Sequence, residues 1–376
     1  MSFVLPVLLI GIFLAYANGA NDNFKGVATL YGSGTTTYKK ALAWATFTTL
    51  LGSLAAVLLA KGLIVAFSGK GLVPNHILEL KSFPLAVGLA AATTVMLATR
   101  FGFPISTTHS LVGSLIGAGF AAMGAGIHLD QVLGTFFLPL LISPVLAIFG
   151  AIALYPLIKK VGQFLNITKE NCLCVGTKVL GVVPQGISAE QALMTVTSGI
   201  EVTVGTKAQC VERYQGHVFG IDVGSLLDAL HYLSAGAVSF ARGLNDTPKI
   251  VAILLVSGTF NPLLAMTLVG LVIGVGGILH AKKVAETMSH DITEMNHAEG
   301  LLANLVTSFL VIFASRFGMP VSTTHVSCGA LFGIGAATSK ARLKTISGII
   351  ASWLITLPVA MILSGVFFLL LREVLA

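Results

Sequence analysis

Two short polar motifs, each present twice, carry the chemistry of this chain. The first reads Ala17-Asn-Gly-Ala-Asn21-Asp22-Asn-Phe-Lys25 and recurs as Ala241-Arg-Gly-Leu-Asn245-Asp246-Thr-Pro-Lys249. The second reads Arg100-Phe-Gly-Phe-Pro104-Ile-Ser106-Thr107-Thr108-His109 and recurs as Arg316-Phe-Gly-Met-Pro320-Val-Ser322-Thr323-Thr324-His325. Order and spacing are kept: 84 residues separate Asp22 from Ser106, and 76 separate Asp246 from Ser322. Each cluster interrupts apolar sequence, and paired polar interruptions of this kind point to the binding site of a transporter built from repeats.

Three consecutive hydroxyls after a Gly-x-Pro break suit the start of a helix, where Ser and Thr hydrogen-bond the free backbone amides. Those amides and the helix dipole together make an anion site. Two such starts entering from opposite faces converge near the midplane. They then offer Ser106, Thr107, Thr108, Ser322, Thr323 and Thr324 to one small tetrahedral oxyanion, of which phosphate is an example. Either triplet alone would be read as plain capping; duplication in register with Pro, Arg and His argues for the site.

An Asp inside a membrane segment is costly and marks function. Ionised Asp22 and Asp246 repel an anion unless a cation lies between. Asn21, Asp22, Asn245 and Asp246, the hydroxyls of Thr107 and Thr323, and carbonyls freed at a helix break supply oxygen ligands for Na⁺. Alternatively the carboxyls carry protons and donate to the anion. The simplest competing role for the two carboxylates is pairing with Lys25 and Lys249. Arg100 and Arg316 are expected to pair with a carboxylate or with helix ends and so hold the break; contact with the anion is the alternative. His109 and His325 are expected to be structural, with proton carriage as the alternative. Asp228 and Glu299 begin apolar segments, as interfacial groups or as an accessory cation site.

The elements that position these motifs are membrane helices. Hydrophobic residues make up 55% of the chain and charged ones 10%, against about 25% charged in soluble domains. Charge-free runs cover 41–60, 131–158, 250–281 and 345–371, and about 20 apolar residues suffice to cross the hydrocarbon layer. This excludes a soluble protein, and a β-barrel would show short alternating segments instead. Residues 1–20 carry no charge and read as a first span, not a cleaved signal. The net charge of +7 is assigned to loop Lys and Arg, not to nucleic-acid binding. The four cysteines, Cys172, Cys174, Cys210 and Cys328, match no zinc spacing and are expected to be unpaired thiols.

The expected spans are 3–18, 41–67, 129–158, 223–241, 261–280 and 345–371. The paired pieces 84–99 with 110–124, and 298–315 with 326–337, are short for full crossings and read as two re-entrant helical hairpins. Residues 159–222 are polar and β-branched, notably Glu201-Val-Thr-Val-Gly-Thr, and read as a strand-containing cytoplasmic insert. The chain thus divides into a first membrane repeat at 1–158, the insert at 159–222 and a second repeat at 223–376. With both termini outside, thirteen Lys and Arg fall inside: 39, 40, 159, 160, 169, 178, 207, 213, 282, 283, 340, 342 and 344. Four fall outside, at 61, 70, 81 and 372. The bias obeys the positive-inside rule and makes the halves inverted repeats. The fold class is an all-α integral membrane protein with inverted-topology repeats, broken helices and a small cytoplasmic insert.

The G-A-N-D motif followed by a break, paired with P-x-S-T-T-H and duplicated over both halves, resembles the inorganic phosphate transporter family. The chain departs from the pattern at Leu244, where Ala is usual, and at Asn23-Phe24, where Val-Ala is common. The resemblance implies symport of phosphate with Na⁺ or H⁺ in a plasma membrane, inverted repeats, often a homodimer, and no further cofactor. It places Asp22, Ser106, Thr107, Thr108, Asp246, Ser322, Thr323 and Thr324 around phosphate and its coupling ions. Na⁺ is the leading coupling ion; H⁺ coupling, or sulfate as cargo, is the alternative. An intramembrane hydrolase using Ser106 and His109 is disfavoured by the duplication, because catalysis needs one site. A passive anion channel is disfavoured by the two carboxylates.

Overall fold

A computed structural model describes residues 3–164, 171–179, 197–206, 218–256 and 258–375. Contacts divide the chain into two compact units, one of Met1–Tyr155 with His231–Ala376 and one of Pro156–Leu230. Among the described residues, seven helical stretches are long and apolar enough to cross a membrane.

The first half opens with α1 (Val4–Asp22), a 3₁₀ turn at Lys25–Val27 and α2 (Ala28–Gly32). The run Val4–Gly32 makes one membrane-length stretch of 29 residues, longer than the span expected over 3–18. Next come α3 (Tyr38–Leu59), α4 (Lys61–Phe67) and α5 (Asn75–Leu78). The expected span 41–67 is therefore two helices meeting at Ala60. Then follow α6 (Ser82–Arg100) and α7 (Thr107–Met123). After them α8 (Leu129–Val132), a π-helical turn at Leu133–Phe137 and α9 (Leu138–Phe164) run on together.

The unit Pro156–Leu230 contains strands β1 (Asn171–Val179), β2 (Thr197–Thr206) and β3 (Val218–Asp222). They form an antiparallel sheet in the order β2-β1-β3. Strand pairing was the expectation for Glu201–Thr206, which lies in β2. Cys172 and Cys174 lie in β1, while Cys210 is outside the described residues.

The second half begins with α10 (Val223–Leu255), followed by α11 (Pro262–His280), α12 (Lys282–Glu286) and a π-helical turn at Thr287–Asp291. Then come α13 (His297–Arg316), α14 (Thr323–Thr338) and α15 (Leu343–Leu375). Two expectations change here. First, α10 passes through Asn245-Asp246 without a break and carries Pro248 inside it. Proline has no N–H to offer the Leu244 carbonyl, yet the helix continues through it. Nor is α10, long enough at 33 residues but carrying buried ionic groups, among the seven stretches that are both long and apolar enough. Second, α6 and α13 have 19 and 20 residues and qualify as spans, whereas the shorter pieces 84–99 and 298–315 were expected as halves of hairpins. Their partners α7 and α14 are shorter, at 17 and 16 residues.

Apolar side chains cover the outside as well as the core. Leu141, Phe149, Leu354 and Ile362 on α9 and α15 are exposed, the arrangement a lipid solvent favours. Between helices, small residues permit backbone contact. A Cβ on Gly19 would lie 1.9 Å from the Ile273 carbonyl oxygen, and one on Gly276 would lie 2.1 Å from that of Tyr16. This pair closes α1 on α11. Gly243 and Gly52 close α10 on α3 in the same reciprocal way, against Thr49 and Phe240 oxygens at 2.1 and 2.0 Å. Overpacking typically costs about 1–3 kcal/mol. Gly19→Ala is therefore expected to lower the melting temperature of the purified protein, while Gly348→Ala, with nothing within 4 Å, leaves it unchanged. Equal melting temperatures for the two variants would contradict the close packing.

Candidate functional site

The two Ser-Thr-Thr triplets open α7 and α14. Gly102 and Gly318, at φ 75° and 66°, end the preceding helices in the left-handed region that glycine favours. Ser106 and Ser322 are the N-caps: each Oγ accepts from a backbone amide, His109 N and His325 N, both at 3.1 Å. The two starts touch. Thr108 Oγ1 donates to the Val321 carbonyl at 3.2 Å, and Thr324 Oγ1 donates to the Ile105 carbonyl at 2.9 Å. Equivalent residues thus make equivalent contacts across the junction.

The Asn-Asp motifs sit against these starts. Asp22 Oδ2 accepts from Asn18 Nδ2 at 2.8 Å and from Thr107 Oγ1 at 2.9 Å. Thr323 Oγ1 donates to Asp246 Oδ2 at 3.3 Å. Asn21 reaches Thr99 on α6 at 2.9 Å, and Asn245 accepts from Ser315 on α13 at 3.2 Å. Each Asn thereby fastens its motif to the helix before the break.

Lys25 and Lys249 hold the centre of each motif. Lys25 Nζ donates to Asp22 Oδ1, to Asn21 Oδ1 at 2.7 Å, and to the Ile105 carbonyl and Thr324 Oγ1, both at 2.8 Å. Lys249 Nζ donates to Thr108 Oγ1 at 2.7 Å, the Val321 carbonyl at 2.8 Å and Asp246 Oδ1 at 3.3 Å. All four ionic side chains are buried. The simplest competing role for the carboxylates, pairing with these lysines, is therefore what the geometry contains. The six hydroxyls differ from the expected shell too: each is already engaged with the caps, carboxylates, carbonyls or lysines described above.

Two further residues belong to the site. Arg242 is 1% exposed. Its guanidinium donates to Asn18 Oδ1 at 3.3 Å, Asn23 Oδ1 at 3.0 Å and Thr49 Oγ1 at 3.3 Å, and its Nε has no partner among the described residues. Arg242 and Asn18 hold corresponding positions in the two copies of the motif and meet each other. The sequence signal was there: in a duplicated motif, the position where a cation replaces an amide is where the copies do different work.

The arginines of the second motif lie elsewhere. Arg100 and Arg316 are exposed at the ends of α6 and α13, and neither makes an ion pair among the described residues. Of the two expected partners, a carboxylate is not found among the described residues; each arginine lies in the last turn of its helix, where the other expectation, interaction with helix ends, places it. Arg100→Ala and Arg316→Ala are expected to keep uptake of the anion that the resemblance implies within about twofold, a difference well under 1.4 kcal/mol. A tenfold loss in proteoliposomes for either would return them to the site.

His109 and His325 pack with ring centroids 4.3 Å apart and planes tilted by 40°, and His325 stacks on Trp353 at 3.8 Å. His109 Nδ1 and His325 Nε2 have no hydrogen-bond partner among the described residues. Glu299 closes a capping box with Asn296 at the start of α13. Asp228 lies early in α10, within the unit Pro156–Leu230. Cys328 is a buried free thiol near Met288.

A membrane-embedded helical protein with paired helix starts and paired buried ionic clusters defines the class: a solute transporter. Residues 18–364 match the model of the phosphate transporter family, and the chain belongs to that family. A Pyrococcus abyssi chain that carries the name of a phosphate permease is 29% identical over 97% of both chains. Inorganic phosphate transporter 2-1 of Arabidopsis thaliana, a chloroplast protein, is 27% identical over 96% of this chain and 70% of its own length. In fold the chain is similar to a solved structure described as the sodium-dependent phosphate transporter, with a TM-score of 0.76, 23% identity and full coverage of both chains. The chain is a multi-pass membrane transporter of this family and not an enzyme.

Proposed function

We propose that this chain is a secondary-active symporter that carries inorganic phosphate with a cation by alternating access. Phosphate seats between the starts of α7 and α14, and Asp22, Ser106, Thr107, Thr108, Asp246, Ser322, Thr323 and Thr324 surround it. The observation that carries this reading is the reciprocal contact of the two starts, Thr108 to Val321 and Thr324 to Ile105. Bonds between equivalent residues can be exchanged for bonds to one shared anion, and helix N-termini favour an anion there.

On this reading residues 1–158 and 223–376 are inverted repeats joined by the insert 159–222. The pairs α6–α7 and α13–α14 are the two hairpins, with the shorter α7 and α14 turning back from the midplane. Both termini lie outside a plasma membrane, the insert is cytoplasmic, and two copies form a homodimer. Loosening the Thr108 and Thr324 bonds in turn opens the site to opposite sides.

The name of the fold relative supports Na⁺ as the coupling ion, held by Asn21, Asp22, Thr107, Asn245, Asp246 and Thr323. A specific observation favours the second reading, H⁺: lysine ammonium groups lie among those oxygens. The test is accumulation of labelled phosphate by proteoliposomes with Na⁺ and pH gradients imposed separately and sulfate as competitor. Accumulation under either gradient, resistant to sulfate, supports the reading. Accumulation of sulfate in its place sinks it.

A further inference from the structure

A lysine ammonium of the chain itself enters each cation cage: of the ligands the motifs offer to Na⁺, Lys25 meets Asn21 and Asp22, and Lys249 meets Asp246. Three residues besides Asp22 present oxygens to Lys25 Nζ at 2.7–2.8 Å, namely Asn21, Ile105 and Thr324. Thr108, Val321 and Asp246 present oxygens to Lys249 Nζ at 2.7, 2.8 and 3.3 Å. Asn21, Asp22 and Asp246 are ligands the motifs offer to Na⁺, and the Ile105 and Val321 carbonyls are freed at the helix breaks. A lysine ammonium is a compact, strongly hydrated point charge, so it and a sodium ion compete for one cage. Displacing it is difficult. Both ammonium groups are tethered three residues from their Asp, with side chains 3% and 1% exposed. Beyond its oxygens, Lys249 Nζ has the Phe67 ring 5.6 Å away, which offers no acceptor to rival them.

The charge count points the same way. Among the described residues, the buried ionic groups around the helix starts are Asp22, Asp246, Lys25, Lys249 and Arg242. Counting the histidines as neutral, they carry one positive charge in excess. Glu299, also buried, stands sixteen residues before Ser315 on α13, about 24 Å along the helix axis. One monovalent phosphate ion balances the excess; added sodium ions would renew it, and unbalanced buried charge is unfavourable. The unpartnered Arg242 Nε is a buried donor available to that anion.

We propose, taking phosphate as the cargo, that Lys25 and Lys249 are tethered cations that fill both coupling-ion cages, so that phosphate is bound and carried without sodium. Of the two coupling ions considered for this symporter, H⁺ then remains.

The full-length protein in liposomes preloaded with unlabelled phosphate tests this. Exchange with labelled external phosphate is measured with sodium on both sides, then with choline in its place. The expected exchange rates agree within about twofold, and labelled sodium does not enter with phosphate. A loss of about tenfold or more in choline, equivalent to 1.4 kcal/mol, or sodium entry in step with phosphate, overturns the tethered-cation role. Lys25→Asn with Lys249→Asn opens both cages and is expected to make exchange sodium-dependent; full exchange that stays sodium-independent overturns the role as well. Should that variant fail to assemble, the wild-type arms decide alone. Absence of exchange in every medium instead overturns phosphate as the cargo, and the proposal falls with it.

Discussion

Asp22→Asn is expected to cut the maximal rate of phosphate uptake by about tenfold or more without raising the phosphate KM, and Asp246→Asn is expected to do the same. The substitution keeps the shape but removes the charge that Lys25, Asn18 and Thr107 address. Breaking one partner of a buried ion pair costs about 3–5 kcal/mol, enough to distort the exchange of bonds that opens and closes the site. Binding is spared because the change adds positive charge beside the anion. Uptake kinetics in proteoliposomes give both parameters. Wild-type rates for both variants would remove the carboxylates from the mechanism; a raised KM at normal maximal rate would make them ligands only.

Arg242→Met has the second large expected effect, on affinity. The guanidinium supplies the positive charge in excess and is held by Asn18, Asn23 and Thr49. Hydrogen bonds involving a charged group contribute about 1.5–3 kcal/mol, so losing the bond proposed between its free Nε and the anion is expected to raise the phosphate KM by about tenfold to a hundredfold. Arg242→Lys keeps the charge without the planar fork and is expected to fall between. Melting temperature separates this from misfolding, since both variants disturb the same neighbours. An unchanged KM in Arg242→Met would show that the charge serves structure only.

Much of this site was legible in the residues. Pro104 and Pro320 before Ser-Thr-Thr announced helix starts, because proline breaks a helix and hydroxyls cap one. Duplication announced that the starts belong together. The lysine pairing was legible too: Asp-x-x-Lys spacing puts both side chains on one helix face, so Lys25 and Lys249 were well placed to reach their own carboxylates. That spacing did not reveal that the ammonium also gathers Ile105 and Thr324, or Val321 and Thr108, because those contacts come from residues some 70 to 300 positions away. Arg242 lies outside the shared pattern, because the corresponding position of the first copy holds Asn18. The unbroken α10 was misjudged because Asn, Asp and Pro in sequence look like a terminus, whereas neighbouring helices in a membrane can support a helix that lacks one bond. Expected spans ran short wherever polar residues such as Asn18, Asn21 and Asp22 continue a helix by burying among one another.

Where the anion sits decides the account most directly. Arsenate replaces phosphate closely in shape and charge, and it scatters anomalously. In crystals of the protein grown with arsenate, a single anomalous peak is predicted between the starts of α7 and α14, within hydrogen-bonding reach of Ser106–Thr108, Ser322–Thr324 and Arg242. A peak elsewhere in the membrane unit, or separate peaks at the two starts, would contradict the claim that the doubled motif builds one site.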